Sequence, residues 1–338
     1  MNSTTRNGTF DLLLGNVPFK SYDVILIVIA GLIILFNGVV LFVMRKHKSL
    51  RNAQNGLLAS LAISDLSSGL IGIPLVFACS FVPPRFCALC SVCYYFFKFI
   101  SISTVLHILA IIGERCFTVV DPFLHRRLRA APGRSNLILI GAIWLISLIA
   151  SCVPWLWVSQ IVNDCYGMET SHEGTWNPDS IYELSCFILF FILPLLLISV
   201  FLAKIFIAVH QFTRRKSRRC VDNLREQTRL RTTEKRIFVV LFSVFVLFIV
   251  CWLPYFAVTL VHVINTQLPY WVEETVPYLR SLTSLLNPFV YAFYKDDFYQ
   301  ALRRKLGNVR CWTRPRNSDI FTTKTKAQVP LVQIATTI

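Results

Sequence analysis

Seven long apolar stretches, at about residues 22–44, 54–78, 87–119, 135–158, 180–211, 235–264 and 270–294, constrain what this chain can fold into more than any other feature. A helix needs about 20 predominantly apolar residues to cross the hydrocarbon core of a bilayer, and each stretch meets that length. Composition excludes the soluble alternative. With 55% hydrophobic and 15% charged residues among 338, there is too little polar surface to cover a globule of this size. The expected fold is an all-α membrane protein, a seven-transmembrane helix bundle that uses nearly the whole chain.

A formal net charge of +16 has two candidate explanations, nucleic-acid binding and membrane topology, and its distribution separates them. Lys and Arg cluster after the first span (Arg45, Lys46, Lys48, Arg51), after the third (Arg126, Arg127, Arg129, Arg134), between the fifth and sixth (Arg214 to Arg236) and after the seventh (Arg303, Arg304, Lys305). Those segments share one side of the membrane. The opposite loops carry few basic residues, Lys20 and Arg85 among them. The positive-inside rule therefore places the N-terminus outside and the C-terminus in the cytosol. Anionic lipid of the inner leaflet accounts for the charge, and no aromatic-basic nucleic-acid module appears. Asn2 and Asn7 head glycosylation tripeptides in the tail that this orientation puts outside. The first 20 residues lack a cleavable signal pattern, so the first span is expected to act as its own insertion signal.

Inside this frame each span carries a polar or proline landmark. Asn37 lies in the first span, Leu61-Ala62-Ile63-Ser64-Asp65 in the second, Glu114-Arg115-Cys116 at the inner end of the third and Trp144 in the fourth. Pro194 lies in the fifth, Cys251-Trp252-Leu253-Pro254 in the sixth and Asn287-Pro288-Phe289-Val290-Tyr291 in the seventh. A lone Trp or Pro in an apolar span is packing or a kink, and Glu114 with Arg115 alone would be an interfacial ion pair with its charges snorkelling to water. Taken together and in this order, the landmarks make residues 22 to 306 resemble the rhodopsin-class G-protein-coupled receptors. The resemblance implies a plasma-membrane receptor that turns an extracellular ligand into nucleotide exchange on a heterotrimeric G protein, with arrestin as a further partner.

It also implies roles for particular residues. Arg115 would sit beside Glu114 and opposite Glu234 of the sixth span, an ion pair of modest energy that suits a bistable switch. The sixth span would move outward about Pro254, where a backbone N–H is missing, with Trp252 and Phe248 repacking below the pocket. Tyr291 would swing inward. The resemblance further implies a disulfide between Cys90 and Cys165 on the oxidising side, with Cys87 and Cys93 as competing partners. Asp65, with Thr104, Ser284 and Asn287, is the family's sodium site. The competing reading is a protonated Asp65 bonded to Asn287, since desolvation disfavours the charged form. Cys116 stands where a tyrosine is commoner, and Leu202 where many members carry a tyrosine that supports the active state.

The ligand is less constrained. Phe97 occupies the position of the aspartate that pairs with amines, Ser281 that of the lysine that binds retinal, and Thr259 that of an asparagine of adenosine receptors. Phe97, Lys98, Ser101, Trp252, Tyr255, Phe256, Arg280 and Ser281 are the candidate pocket residues. Arg280, seven residues before Asn287, suggests an anionic ligand. The alternative is an internal pair with Glu273, Glu274 or Glu183, the usual fate of an intramembrane arginine. Lys98 points about 100° away from Phe97 around the helix and is weaker evidence.

Residues 1–21 are expected to form the outer tail, 22–294 the receptor domain, 295–306 a short amphipathic eighth helix and 307–338 a cytoplasmic tail. Cys311 is a candidate palmitoylation site, and Thr336-Thr337-Ile338 resembles a PDZ-binding terminus. Enzyme chemistry finds no support, because the six histidines are dispersed and no zinc-helix or phosphate-loop motif occurs. A transporter would show related halves with paired broken helices. A ligandless, constitutively active receptor or scaffold of the same fold is the closer alternative.

Overall fold

The computed structural model describes residues 21–47, 53–81, 87–121, 132–157, 178–219, 224–263 and 268–294. Asn2, Asn7, Cys165, Cys311, the expected eighth helix and the C-terminal motif lie outside them, as do the side chains of Glu234, Glu273, Glu274 and Tyr291. Seven helical rods make up the described part. They are α1 (Ser21–Lys46), α2 (Ala53–Ser67 continuing through Ser68–Gly72 to Ile73–Phe81), α3 (Cys87–Val120) and α4 (Pro132–Cys152, ending in a 3-10 turn Val153–Trp157). After these come α5 (Pro178–Phe187 continuing through Ile188–Ile192 to Leu193–Arg219), α6 (Leu224–Val263) and α7 (Tyr270–Tyr294). Five rods are long and apolar enough to cross a membrane, and α6 holds a shorter apolar stretch, Phe245–Val261.

Apolarity reports the membrane span and not the length of the helix. α5 runs on to Arg219 and α6 starts at Leu224, so most of the basic segment between the fifth and sixth spans is helical. Its Arg, Lys, Gln, Glu and Leu residues are good helix formers once the rod leaves lipid.

Both π turns have the same cause. Ser68–Gly72 ends two residues before Pro74 and Ile188–Ile192 two residues before Pro194. A proline ring clashes with the carbonyl four residues back and offers no N–H. The turn widens instead, and the N–H groups of Ile73 and Leu193 reach back to Ser68 and Ile188. Each widened turn inserts a residue and rotates the outer half of its rod relative to the inner half.

α3 is the axis of the bundle. It packs against α2, α4 and α5, and 67% of its most apolar stretch is buried, against 22% for α4. The remaining neighbours close the ring: α5 on α6, α6 on α7, and α7 on both α1 and α2. Outward faces carry Leu137, Ile138, Leu145 and Ile149 on α4 and Val24, Ile25, Val28 and Leu35 on α1. An apolar surface of this extent is what lipid requires.

Polar contacts pin the helices where side chains cannot reach water. Trp144 Nε1 donates to Ser60 Oγ at 2.9 Å, and His107 Nε2 lies 2.8 Å from the same oxygen. His107 Nδ1 is 2.7 Å from the Ser103 carbonyl, an acceptor only, so Nδ1 carries the proton and Nε2 accepts from Ser60. α2, α3 and α4 are thereby joined through one hydroxyl. Asn37 Nδ2 donates to the carbonyls of Ile33 and, across the interface, of Ser284, both at 3.0 Å.

The cysteine pairing differs from the expectation. Cys90 is bonded to Cys79, with Cα atoms 5.2 Å apart, and not to Cys165, while Cys93 is a buried free thiol. The outer end of α2 and the first turns of α3 lie side by side, which brings the two sulfurs within bonding reach. The bridge therefore joins two helices where the resemblance implied a tether from a loop.

Asn37→Ala removes a side-chain hydrogen bond from α1 to the α7 backbone. It is expected to destabilise the receptor by about 1–2 kcal/mol, read as a lower thermal midpoint of the purified protein, and an unchanged midpoint would show that the bond contributes nothing.

Candidate functional site

The sequence-selected residues separate into an outer and an inner group, joined by an aromatic column. In the outer group Lys98 is almost fully buried, at 1% exposure, and its Nζ lies 2.6 Å from Glu183 Oε2. The Tyr94 hydroxyl donates to the other carboxylate oxygen of Glu183. The rings of Tyr94, Tyr182 and Tyr255 surround the ammonium with centroids at 5.8, 5.4 and 5.6 Å. A buried ion pair is tolerable only when its remaining hydrogen-bonding capacity is met and its desolvation offset, and the three rings add cation–π attraction. Tyr182 is itself fixed by donating to the Ala150 carbonyl of α4. Glu183 faces α3 from the segment of α5 that precedes the π turn.

Arg280 takes a different partner. Its guanidinium carbon lies 3.8 Å from the centroid of Phe97, a face-on stack, and 5.7 Å from that of Tyr255. Among the described residues it makes no ion pair. The expectation that Glu183 could neutralise Arg280 is thus corrected, because that carboxylate belongs to Lys98. Phe97 and Lys98 diverge around α3 as their adjacency requires: Phe97 meets α7, and Lys98 meets α5. Arg280 keeps part of its surface accessible.

Gly72, which sequence reasoning passed over, makes room for this stack. A Cβ at Gly72 would stand 2.9 Å from Phe97 Cε1 and 3.0 Å from Cζ, so any side chain there must displace the ring. Ser101 and Ser281 are buried nearby in sequence on α3 and α7.

Below this group Trp252, Phe248 and Phe256 of α6 pack with Phe191 of the α5 π turn, the Phe191 and Phe248 rings stacked at 5.8 Å. Pro254 stands inside α6 just above Trp252. Deeper still, Asn287 Nδ2 donates to Asp65 Oδ2 at 2.9 Å, and Oδ1 has no hydrogen-bond partner among the described residues. Ser64 Oγ approaches Ser103 Oγ at 3.4 Å, which sets their chain neighbours Asp65 and Thr104 at one level of α2 and α3. Thr104 and Ser284 are both buried. Near the inner end of α3, Arg115 is buried at 3% exposure, whereas Glu114 is only partly covered. Cys116 packs on Ile205 and Val209 of α5, and Leu202 lies against the same cluster. Pro288 is buried in α7.

Comparison with known proteins adds to this geometry. A family model described as 7 transmembrane receptor (rhodopsin family) matches residues 36–291. Melatonin receptor type 1B-B of Danio rerio is 26% identical over 272 residues, 78% of this chain and 75% of that protein. Adenosine receptor A2a of Canis lupus familiaris is 25% identical over 307 residues, 84% and 71% of the two chains. Melanopsin of Rutilus rutilus is 25% identical over 330 residues, 90% and 62%.

Lys98→Met alone leaves the Glu183 carboxylate buried without its cation and is expected to destabilise the protein by about 3 kcal/mol or more. The double change Lys98→Met with Glu183→Met recovers much of that loss in thermal unfolding; equal losses would mean that the two groups are not coupled. Gly72→Ala, which overpacks Phe97 at a cost of about 1–3 kcal/mol, is expected to lower both the thermal midpoint and the response to whatever ligand uses Arg280. The accompanying Phe97→Leu should restore stability without restoring that response.

Proposed function

Since the chain belongs to the rhodopsin family of seven-transmembrane receptors, it is a G-protein-coupled receptor of the plasma membrane and no enzyme, and we propose that its agonist is an anion held by Arg280. The carrying observation is the guanidinium lying over Phe97 and within cation–π reach of Tyr255 while Glu183, the carboxylate described in the same outer group, is bound to Lys98. Arginine presents an in-plane fork of donors suited to an anionic group. The names of the relatives divide among melatonin, adenosine and a light-sensing opsin, so they assign no single ligand chemistry. This chain also has Ser281 and Thr259 where the resemblance expects an opsin lysine and an adenosine-receptor asparagine.

In this reading the N-terminus lies outside, with Asn2 and Asn7 glycosylated, and residues 22–294 form the signalling body. The ligand enters among the outer halves of α3, α5, α6 and α7 and bears on Trp252 through Tyr255 and Phe256. α6 then swings outward about Pro254, releasing Arg115 from Glu234 and admitting the G protein between the inner ends of the helices, where Tyr291 turns inward. Asp65, Thr104, Ser284 and Asn287 are oxygen donors of the kind a hard cation such as sodium takes. The unpartnered Asp65 Oδ1 supports that use, and a bound ion would stabilise the inactive arrangement. A helix at 295–306 lies on the inner leaflet with Cys311 palmitoylated, and the cytoplasmic tail serves arrestin and a PDZ partner.

The test is G-protein activation in cells across carboxylates, phosphates, neutral indoles, nucleosides and amines. Arg280→Ala is expected to lower the potency of an anionic agonist by ~10-fold or more, about 1.4 kcal/mol, and to leave neutral agonists unaffected. Equal loss for every ligand class, reproduced by Glu273→Gln with Glu274→Gln, would make Arg280 a structural cation. Signalling that depends on Arg115 but on no added ligand would instead favour the constitutively active reading.

A further inference from the structure

The anion reading can be sharpened by counting charge. Three ionisable side chains of the outer group are described inside the bundle: Lys98, Glu183 and Arg280. Lys98 and Glu183 neutralise one another at 2.6 Å, and the second oxygen of Glu183 is taken by Tyr94. Asp65 lies at the level of Asn287, about 10 Å of helix rise below Arg280, and is engaged there by the Asn287 amide. Among the described side chains the local balance is therefore a single positive charge, on Arg280.

Geometry restricts the partner as well. The guanidinium carbon lies over the Phe97 ring at 3.8 Å from its centroid, and the lack of a side chain at Gly72 leaves room for that ring. A guanidinium stacked on an aromatic face keeps its fork of N–H donors at the edge for an anion. A coplanar carboxylate meets that edge with two parallel hydrogen bonds. The surrounding surface is aromatic: Phe97, Tyr255, Phe256 and Trp252 are all buried.

Resting on the assignment of Arg280 as the anion site, we propose that the receptor selects monocarboxylates on a flat aromatic body. The closed Lys98–Glu183 pair excludes dianions such as phosphate esters. A monocarboxylate brings the outer group to neutrality, whereas a second negative charge would be buried without a cation, which a low-dielectric interior resists. Lys98 cannot supply that cation while Glu183 holds it. Glu183 thus acts on specificity through Lys98 as a positioning residue, without touching the ligand.

The experiment measures thermal stabilisation of the purified full-length receptor by three probes sharing one body: 3-(2-naphthyl)propionate, 2-(2-naphthyl)ethyl phosphate, which carries close to two negative charges at neutral pH, and 3-(2-naphthyl)propanamide. In the wild type the propionate is expected to bind ~10-fold or more tightly than either of the others. Arg280→Gln removes its advantage over the amide. Glu183→Gln keeps a hydrogen-bond acceptor for Lys98 but frees its charge, and is expected to bring the phosphate ester level with the propionate or past it. If the phosphate binds at least as well as the propionate in the wild type, and Arg280→Gln weakens both, the selectivity inference is overturned while the anion site stands. If the amide matches the propionate, or no probe stabilises the receptor, the anion assignment falls and this inference with it. Should Glu183→Gln not fold, the wild-type ranking and the Arg280→Gln comparison still decide the matter.

Discussion

Every ionisable or hydrogen-bonding side chain that this receptor carries into hydrocarbon has to find its partner inside the bundle, and α3 is the rod on which most of those partners meet. Phe97 and Lys98 at its outer half, Ser103 and His107 at its middle and Arg115 at its inner end are all buried. Phe97 faces α7, Lys98 α5, Ser103 α2, and His107 both α2 and α4. Lipid supplies no competing hydrogen bonds, so each such contact fixes the rotation of α3 against a neighbour. The peripheral helices are then placed relative to that axis, with apolar residues left to cover the outside.

The outer and inner groups are separated by a layer in which hydrophobic packing takes over from polar pairing. Phe191, Phe248, Phe256 and Trp252 interlock between α5 and α6. α6 carries Pro254 within this layer, between Trp252 and Phe256. Tyr255 has one ring within reach of both Lys98 and Arg280 and touches Trp252 and Phe256 on its own helix. A change in the charge around Arg280 therefore reaches the aromatic layer through a single residue. Packed aromatic layers shift between discrete arrangements and do not deform continuously, as a switch requires.

Much of this was legible before any coordinates. The number of rods and the landmark in each follow from residue type and position along the chain, whereas the candidate pocket residues and the grouping of Asp65 with Asn287 came from the resemblance. The fate of Arg280 was posed as two alternatives. Of its three candidate carboxylates, Glu183 meets Lys98 instead, because the rotation of each helix about its axis, which residue type does not report, decides which charges face one another. Cys79 was not considered as a partner for Cys90, since nothing in the spacing reports that the ends of α2 and α3 are adjacent. Gly72 gave no signal, because its role is to be absent where another helix's ring needs the space.

The sequence by itself determined that the chain must be a bundle of membrane-spanning helices with Lys98, Arg280 and Asp65 among the charged side chains to accommodate within its spans. It could do so because hydrophobic length and the cost of an unpaired charge are properties of single residues and their neighbours along the chain. The tertiary structure decided which charge meets which. That choice depends on the rotation of each helix about its own axis, and one extra residue in a turn changes that rotation by about 100°. The π turns before Pro74 and Pro194 insert such a residue in α2 and α5. They thereby set whether Gly72 lies under Phe97 and whether Glu183 faces Lys98.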